Sequence, residues 1–165
     1  MITAERLREV VTYDPETGIF RWTSAVSSTK VRAGDVAGYV CSTLGYVMMG
    51  VDGASYRAHR LAWLYVHRRW PSNQIDHING AKDDNRLANL REATAQQNVA
   101  NRGRHKNNQS GFKGVVWHRG ARRWRAYINA DRKFHHIGYF DSAEEAHAAY
   151  VDVAERTFGA FARAA

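Results

Sequence analysis

Apolar and polar positions repeat with two different spacings along this chain, and the change of spacing divides it into predicted helices and strands. Near the start, apolar residues at helical spacing predict an amphipathic helix over about residues 3–11, and turn-forming residues at 13–18 then end it. Short strand patterns follow at residues 18–22 and 36–40, with a flexible Ser/Thr/Lys loop expected between them. The N-terminal segment is therefore expected to be rich in short strands after one helix.

A hairpin and a second helix are predicted next. Residues 46–51 and 54–57 have strand character and flank an Asp-Gly pair, which accepts the positive φ angles of a type I′ turn. Residues 59–67 carry apolar side chains at helical spacing, and the Trp-Pro pair that follows ends the pattern because proline cannot continue a helix.

The stretch from residue 74 to residue 98 is short, polar and rich in Asp and Asn. Two isoleucines bracket Asp76 and His77 in a strand-like element that ends at an Asn-Gly turn signal. Residues 83–90 are expected to form a folded loop rather than regular structure, because Asn and Asp side chains compete for backbone hydrogen bonds. A threonine and a glutamine then have capping-box spacing, so a helix should begin at residue 95 and carry Asn98 in its first turn.

The last third of the chain has strand spacing followed by helix spacing. Strands are predicted over residues 111–118, 124–129 and 133–140, and a second capping box at Ser142 begins an amphipathic helix. The middle strand alternates strictly, so its apolar face is expected to lie under the helix while the other face stays open. The open face of this strand is expected to carry Arg125, Tyr127 and Asn129.

Composition limits the class of protein. The chain has 165 residues, 44% of them apolar, which suffices for one domain or two small ones. No membrane span and no signal peptide are predicted, so an intracellular protein is expected. The single cysteine, Cys41, excludes an intrachain disulfide and zinc sites built from cysteine pairs.

The positive charge of the chain is concentrated in one block. The net charge is +8, and residues 101–136 alone hold ten Lys and Arg residues against one acidic residue. A solvated surface is the ordinary explanation for a charged run, but aromatic residues are interleaved with these cations. That mixture is typical of nucleic-acid-binding surfaces.

The residue types between positions 76 and 98 suit metal-assisted cleavage of a phosphodiester. The Asp76 carboxylate and the Asn98 amide offer hard oxygen ligands for Mg²⁺ or Mn²⁺, and an imidazole such as His77, with an ordinary pKa of about 6.5, can take a proton from water. Neighbours on a strand point to opposite faces, so a bulge or the strand end would have to re-aim one of them. The same residues could equally cap turns and tie down loops, and composition does not decide between the two interpretations.

His59 has two open interpretations of the same kind. On its predicted helix it could reach the metal site or a phosphate, but a lone histidine among apolar residues is usually a structural group.

The polar stretch resembles the HNH endonuclease family, in the branch found in phage and intron homing enzymes. The resemblance covers four ordered blocks, at residues 76–80, 84–87, 89–91 and 98. The preceding string His-Arg-Leu-Ala-Trp, residues 59–63, is similar to the corresponding segment of many phage enzymes.

This resemblance implies a ββα-metal fold, two strands and a helix around the ion, and it implies roles for individual residues. His77 would be the general base, Asp76 and Asn98 would bind one divalent metal ion, and Asn89 would tie the loop that orients His77. The chain departs from the family letters at Asn98, which stands where a histidine gives the family its third letter. Asparagine is a neutral and weaker ligand, although it is common there in the homing branch.

Residues 110–161 resemble the plant APETALA2-type DNA-binding domain, with four blocks matching in order and spacing. In that family a three-stranded sheet enters the major groove and its outward side chains contact bases and phosphates. The target sequence cannot be inherited, because the plant residues differ at several of these positions. The resemblance implies DNA contacts, on the second strand and on neighbouring strands, at Lys113, Arg119, Arg123, Arg125, Tyr127, Asn129 and Arg132.

The expected fold is α+β and has four segments. These are a helical and β-rich N-terminal segment over 1–58, a ββα-metal nuclease core over 59–103, a basic linker over 104–109, and a three-stranded antiparallel sheet plus helix over 110–165.

The expected activity is metal-dependent hydrolysis of phosphodiesters in double-stranded DNA, by a nick or a double-strand break. The enzyme would be phage-encoded or homing, would act in the cytoplasm of a bacterial host, and could be a monomer or a homodimer. The catalytic candidates are His77, Asn89 and His59. Two alternatives stay open: a non-catalytic sequence-specific DNA-binding protein, and an RNA-binding protein that stacks bases on the aromatic, basic sheet.

Overall fold

The structure of the protein, a computed structural model, describes residues 1–23 and 31–164. The chain forms two compact units, Met1–Ala93 and Thr94–Ala165. These units do not coincide with the four expected segments, whose bounds stay predictions. The loop expected between the first two strand patterns includes residues 24–30, which lie outside the described residues. None of the helices in the described ranges is long and apolar enough to cross a membrane.

The first unit begins with helix α1, Ala4–Val10, and the antiparallel pair of strands β1, Val11–Asp14, and β2, Ile19–Trp22. The expected helix over residues 3–11 is therefore one residue shorter at each end. Strand β1 also takes the first two residues of the expected turn at 13–18. The reason is cross-strand pairing: Val11 and Tyr13 are buried and pair with β2, which outweighs the turn preference of the residues around them.

A second sheet contains strand β3, Tyr39–Val40, strand β4, Val47–Val51, and strand β5, Ala54–Arg57. The predicted hairpin is confirmed, since the two turn residues between β4 and β5 have φ angles of 49° and 75°. The strand predicted over residues 36–40 is shorter than expected, and its first residue forms only an isolated bridge to β2.

Helix α2, Ala58–His67, leads to the third antiparallel pair, strand β6, Gln74–His77, and strand β7, Leu90–Ala93. A short 3-10 helix, Leu87–Asn89, precedes β7. The expectation of an irregular loop over residues 83–90 is therefore wrong at its C-terminal end. The core of this unit is built from side chains of α1, β1, β4 and α2, including the fully buried Leu7, Val11, Met49 and Leu61.

The second unit begins with helix α3, Ala95–Ala100, which carries the predicted capping box with both hydrogen bonds formed. An antiparallel sheet follows, with strands β8, Val115–His118, β9, Arg123–Ala130, and β10, Lys133–Phe140, in the order β10-β9-β8. Helix α4, Ala143–Phe158, closes the unit, and Ser142 accepts a hydrogen bond from the Glu145 amide at its start.

Strand β8 starts four residues later than predicted, because residues 111–114 form turns. Gly114 has a φ of 73°, and a Cβ placed on it would lie 2.1 Å from the ring of Tyr150. Tyr150 packs with Ala126 and Ile128 of β9 and with Ala146 of α4 in the core of this unit. The small alanines allow the helix to lie close against the sheet, as the sequence predicts.

Candidate active site

The loop that follows β6 is closed by one buried side chain, Asn89. Its Oδ1 accepts a hydrogen bond from the Asn79 amide at 3.0 Å, and its Nδ2 donates to the Asp84 carbonyl at 2.8 Å. Its backbone carbonyl also accepts from the Ile78 amide at 2.9 Å. A single asparagine therefore joins both ends of the loop, the arrangement expected for a residue that ties it.

One of the two acidic residues of this loop, Asp84, is paired with a cation of the same loop. Asp84 accepts hydrogen bonds from the Arg86 guanidinium at 2.6 Å and 2.8 Å, and from Asn79 Nδ2 at 2.7 Å. These bonds, with that of Arg86 the largest, hold the pKa of the Asp84 carboxyl well below its usual range. Asp84 is consequently an ionised structural group of the loop.

Asp76 and His77 are neighbours on β6, both are buried, and each contacts a different group in the first unit. Asp76 lies opposite Arg91 of β7, whose Nε donates to Asp76 Oδ2 at 2.9 Å. His77 is the last residue of the strand, and its Nε2 lies 3.3 Å from Asn85 Oδ1. For Asp76 and His77 to serve one site, the strand pattern of the sequence requires a bulge or a strand end that turns one side chain. His77 lies at such a strand end.

His77 packs against a second buried histidine. The ring of His59, on α2, meets the ring of His77 edge-to-face with centroids 5.0 Å apart. Burial lowers the pKa of His77, against the opposing effects of Asn85 and Asp76. Burial also lowers the pKa of His59 to about 3, with the nearby charges of His77, Arg57 and Arg60 acting in the same direction. Both imidazoles are therefore neutral near pH 7.

The Nδ1 atom of His59 is buried and has no hydrogen-bond partner in the part of the chain that the structure describes. A buried nitrogen in this state carries a free-energy cost of about 1–3 kcal/mol. His59 and His77 are thus brought together, as the catalytic interpretation of His59 requires, although a packing role also fits the same contact.

Asn98, the second expected metal ligand, lies on α3 in the second unit, where the capping box of Thr94 and Gln97 fixes the helix start. Across residues 1–23 and 31–164, no three His, Cys, Asp or Glu side chains form a cluster that could hold a metal ion. The expected ligands, one carboxylate and one carboxamide, belong to different units, so their pairing stays a prediction. Oxygen ligands of these two kinds suit Mg²⁺ or Mn²⁺, which keep water and substrate phosphates among their ligands.

The C-terminal sheet leaves one face uncovered, as its alternation predicts. Ala126 and Ile128 are buried under α4, while Arg125 and Tyr127 lie on the opposite face. The guanidinium of Arg125 lies 5.7 Å from the Tyr127 ring and 5.3 Å from the ring of Phe134, and the two rings stack at 5.2 Å. The face is therefore aromatic as well as basic.

Some predicted DNA contacts occupy other positions than expected. Lys113 precedes β8 instead of lying on a strand, and its ammonium binds the carbonyls of Ala100 and Arg163. Burial lowers its pKa to about 8. Arg119 and Arg132 lie in the two hairpin turns, because each strand ends before its arginine.

Asn129 lies on β9, where the resemblance to a DNA-binding domain placed it, and β9 also includes Arg123, one residue before the strand predicted over residues 124–129. Both are exposed, and Arg123 forms an exposed ion pair with Asp141 at 2.9 Å. Whether these residues contact DNA stays a prediction.

Three residues around the site were given no role from sequence alone. Arg91 could have been found from strand pairing, because it lies opposite Asp76 once residues 90–93 are recognised as a strand. Asn85 is part of the motif, but its contact with His77 depends on the folded loop. Tyr46 lies 31 positions before His77, and only the tertiary fold brings their rings to 6.0 Å.

Comparison with known proteins identifies a family for part of the chain. Residues 56–100 match a family model described as HNH endonuclease, and that range includes His59, His77, Asn89 and Asn98. The chain is also 34% identical over 89 residues to Protein 3.8 of Escherichia phage T7, covering 53% of this chain and 74% of the phage protein. The chain therefore belongs to the HNH endonuclease family, with its HNH domain at residues 56–100.

Proposed function

We propose that this protein is a metal-dependent DNA endonuclease that hydrolyses phosphodiester bonds at the site around His77. The observation that carries the proposal is that the family match and the buried histidine site involve the same residues. The HNH match at residues 56–100 contains a buried, neutral histidine at the end of a strand, next to a loop closed by Asn89.

His77 would act as the general base. With Asn85 Oδ1 as acceptor, the hydrogen of the neutral ring lies on Nε2, which leaves the lone pair on Nδ1. Nδ1 would take a proton from the attacking water as the water oxygen bonds to phosphorus, and the bond from phosphorus to the leaving oxygen breaks. The leaving oxygen departs with the bonding electron pair, and the imidazolium then returns its proton to solvent.

Asp76 and Asn98 would hold the divalent ion, Mg²⁺ or Mn²⁺. The bound ion would stabilise negative charge on the phosphate and on the leaving oxygen. Arg91 bonds to Asp76 and orients its carboxylate, a role that second-layer partners of metal ligands commonly have.

Asn89 and His59 would position the base. Asn89 holds the loop that contains Asn85, and Asn85 in turn contacts His77. His59 packs edge-to-face on the His77 ring and limits its rotation. We assign both as positioning residues, since neither is required to touch the reacting atoms.

The second unit would supply affinity for double-stranded DNA in the manner of an APETALA2-type domain. Support comes from the open basic and aromatic face of its sheet and from the positive block at residues 101–136. Base-edge or phosphate contacts are proposed for Arg123, Arg125, Tyr127 and Asn129 on β9, and for Arg119 and Arg132 in the turns. One active site per chain makes nicking the simplest outcome, and paired cuts would need two chains.

A plasmid assay tests the proposal. Supercoiled DNA incubated with the protein and Mg²⁺ or Mn²⁺ should become nicked, and EDTA should prevent it. His77→Ala should abolish nicking while DNA affinity, measured in EDTA, stays close to that of the wild type, because a base that acts on water adds little to ground-state binding. Near wild-type turnover by His77→Ala in saturating metal would refute the assignment. Binding without nicking by the wild type would favour a non-catalytic DNA-binding protein.

A further inference from the structure

A group of side chains beside His77 takes no part in the mechanism above. The ring of Tyr46 lies 6.0 Å from the ring of His77 and 5.1 Å from that of His59. Two cations approach the same tyrosine: the guanidinium carbon of Arg57 and Nζ of Lys82 each lie 4.9 Å from its ring centroid. We call Tyr46, Arg57 and Lys82 the cation cluster.

Separate segments of the first unit bring the cation cluster together. Tyr46 immediately precedes β4, Arg57 is the last residue of β5, and Lys82 lies in the loop that Asn89 closes. Lys82 Nζ also donates a hydrogen bond to the Leu44 carbonyl at 3.0 Å. The backbone of three elements therefore fixes the direction from which both cations reach the tyrosine ring.

The cations of the cation cluster differ from several other exposed arginines of the first unit. Arg6, Arg69 and Arg86, also exposed in this unit, are each paired with a carboxylate at 2.6–3.1 Å. Within the described part of the chain, Arg57 and Lys82 have no such ion pair, and both side chains are exposed. Both cations therefore reach solvent without a carboxylate partner in the described residues, and each can donate charge-assisted hydrogen bonds to an anion.

We propose that the cation cluster binds phosphate oxygens of the DNA backbone and holds the strand to be cut against His77. A guanidinium and an ammonium supply charge-assisted hydrogen bonds to phosphate, and the tyrosine ring keeps both cations beside the base. The role in cutting rests on the proposed nuclease function, because the cation cluster lies beside His77, the proposed general base.

Substitutions that remove one charge each test the cluster in the full-length protein. Arg57→Gln and Lys82→Gln should each lower kcat/KM for plasmid nicking by about tenfold or more, because a misplaced strand reduces productive attack on the phosphorus. In EDTA, each should also reduce the slope of log K against log salt for duplex DNA by about 0.9, the value for one lost phosphate contact. Lys82→Arg should retain both properties.

Arg8→Gln is the matched control, because Arg8 lies 5.0 Å from the ring of Tyr65 in the same unit and is not near His77 in the contacts described. It should leave nicking and the salt slope unchanged. The proposal is overturned if Arg57→Gln and Lys82→Gln keep the wild-type salt slope, or if Arg8→Gln loses as much as they do. If the wild type does not nick DNA, the nuclease proposal fails, whereas the binding slopes in EDTA still decide whether the cluster contacts phosphate.

Discussion

At the scale of single residues, burial sets the charge of the histidines in the first unit. The rings of His59 and His77 are buried against each other. An imidazolium at either position would lose its hydration, and two imidazolium rings would repel each other. Neutral rings suit a site that must accept a proton. The sequence could not give this result, because it shows the two histidines 18 positions apart and carries no information on their desolvation.

The buried state of His59 predicts a pH dependence of stability. Its pKa is about 3 in the folded chain against 6.5 for an unperturbed histidine, so between these values the unfolded state binds the extra proton. The free energy of unfolding should therefore fall as the pH drops through this window, by up to about 1.4 kcal/mol per pH unit. Urea unfolding at about pH 7 and pH 5 measures it.

His59→Gln removes the group that takes up this proton in the unfolded state. The loss of stability of this variant on acidification should therefore be smaller than that of the wild type. His67→Gln is the control, because His67 is an exposed residue at the end of the same helix. An equal pH dependence in His59→Gln and the wild type would show that His59 does not titrate as a buried group.

The proposed pair of metal ligands predicts opposite effects of two charge changes. Asp76→Asn should raise the Mg²⁺ or Mn²⁺ concentration needed for half-maximal nicking, because it replaces an anionic ligand by a neutral one. Asn98→Asp should lower that concentration for the opposite reason. Metal titrations of nicking at constant ionic strength measure both. Shifts in the same direction for the two variants would contradict the proposed ligand pair.

At the scale of elements, the sequence predicted turns and helix caps better than strands that depend on a partner strand. The Asp-Gly hairpin and the capping box of α3 were predicted correctly, since each depends on residues close together in the chain. Strands β1 and β7 were missed, because each owes its extended form to a partner strand. Recognition of the HNH motif supplied candidate residues, but the contacts of Asn85, Arg91 and Tyr46 depend on tertiary structure.

The hairpin of β1 and β2 contacts the loop that Asn89 closes, and Gly18 is its contact point. A Cβ on Gly18 would lie 2.4 Å from the Arg86 amide nitrogen and 2.5 Å from the Asn85 carbonyl carbon. The Tyr13 hydroxyl also donates to the Asn85 carbonyl at 2.7 Å, and burial raises the pKa of that hydroxyl. The position of Asn85, and through it of His77, therefore depends on an element outside the matched HNH residues.

Gly18→Ala should destabilise the protein by at least about 2 kcal/mol and reduce nicking, because backbone atoms of the loop must move. Gly53→Ala is the matched control: its φ of 75° is close to the 73° of Gly18, but nothing lies within 4 Å of the added Cβ. It should cost about 1 kcal/mol for the backbone strain alone and leave nicking unchanged in folded protein. Equal losses of stability and activity in both variants would mean that the hairpin does not support the loop.

At the scale of the whole molecule, positive charge and the proposed chemistry lie in different parts of the chain. Residues 1–100 hold 12 Lys and Arg against 10 acidic residues, whereas residues 101–136 hold ten against one. Electrostatic attraction to DNA should consequently come mainly from the second unit. The proposed general base and the cation cluster belong to the first unit. Substitutions on the sheet of the second unit should therefore change affinity more than the cleavage step.

Substitutions on the open sheet face should therefore weaken DNA binding without changing the cleavage step. Arg125→Ala and Tyr127→Ala should each lower duplex affinity, while the rate of nicking at saturating DNA stays near that of the wild type. If Arg125 contacts a base edge, its loss costs roughly 1–3 kcal/mol on the preferred sequence only. If it contacts a phosphate, binding to all sequences weakens alike and the salt slope falls by about 0.9.

Arg156→Ala is the control, because Arg156 is exposed on α4 and paired with Asp152. Binding titrations at two salt concentrations distinguish these outcomes, and unchanged affinity in both sheet variants would mean that DNA is held by the first unit instead.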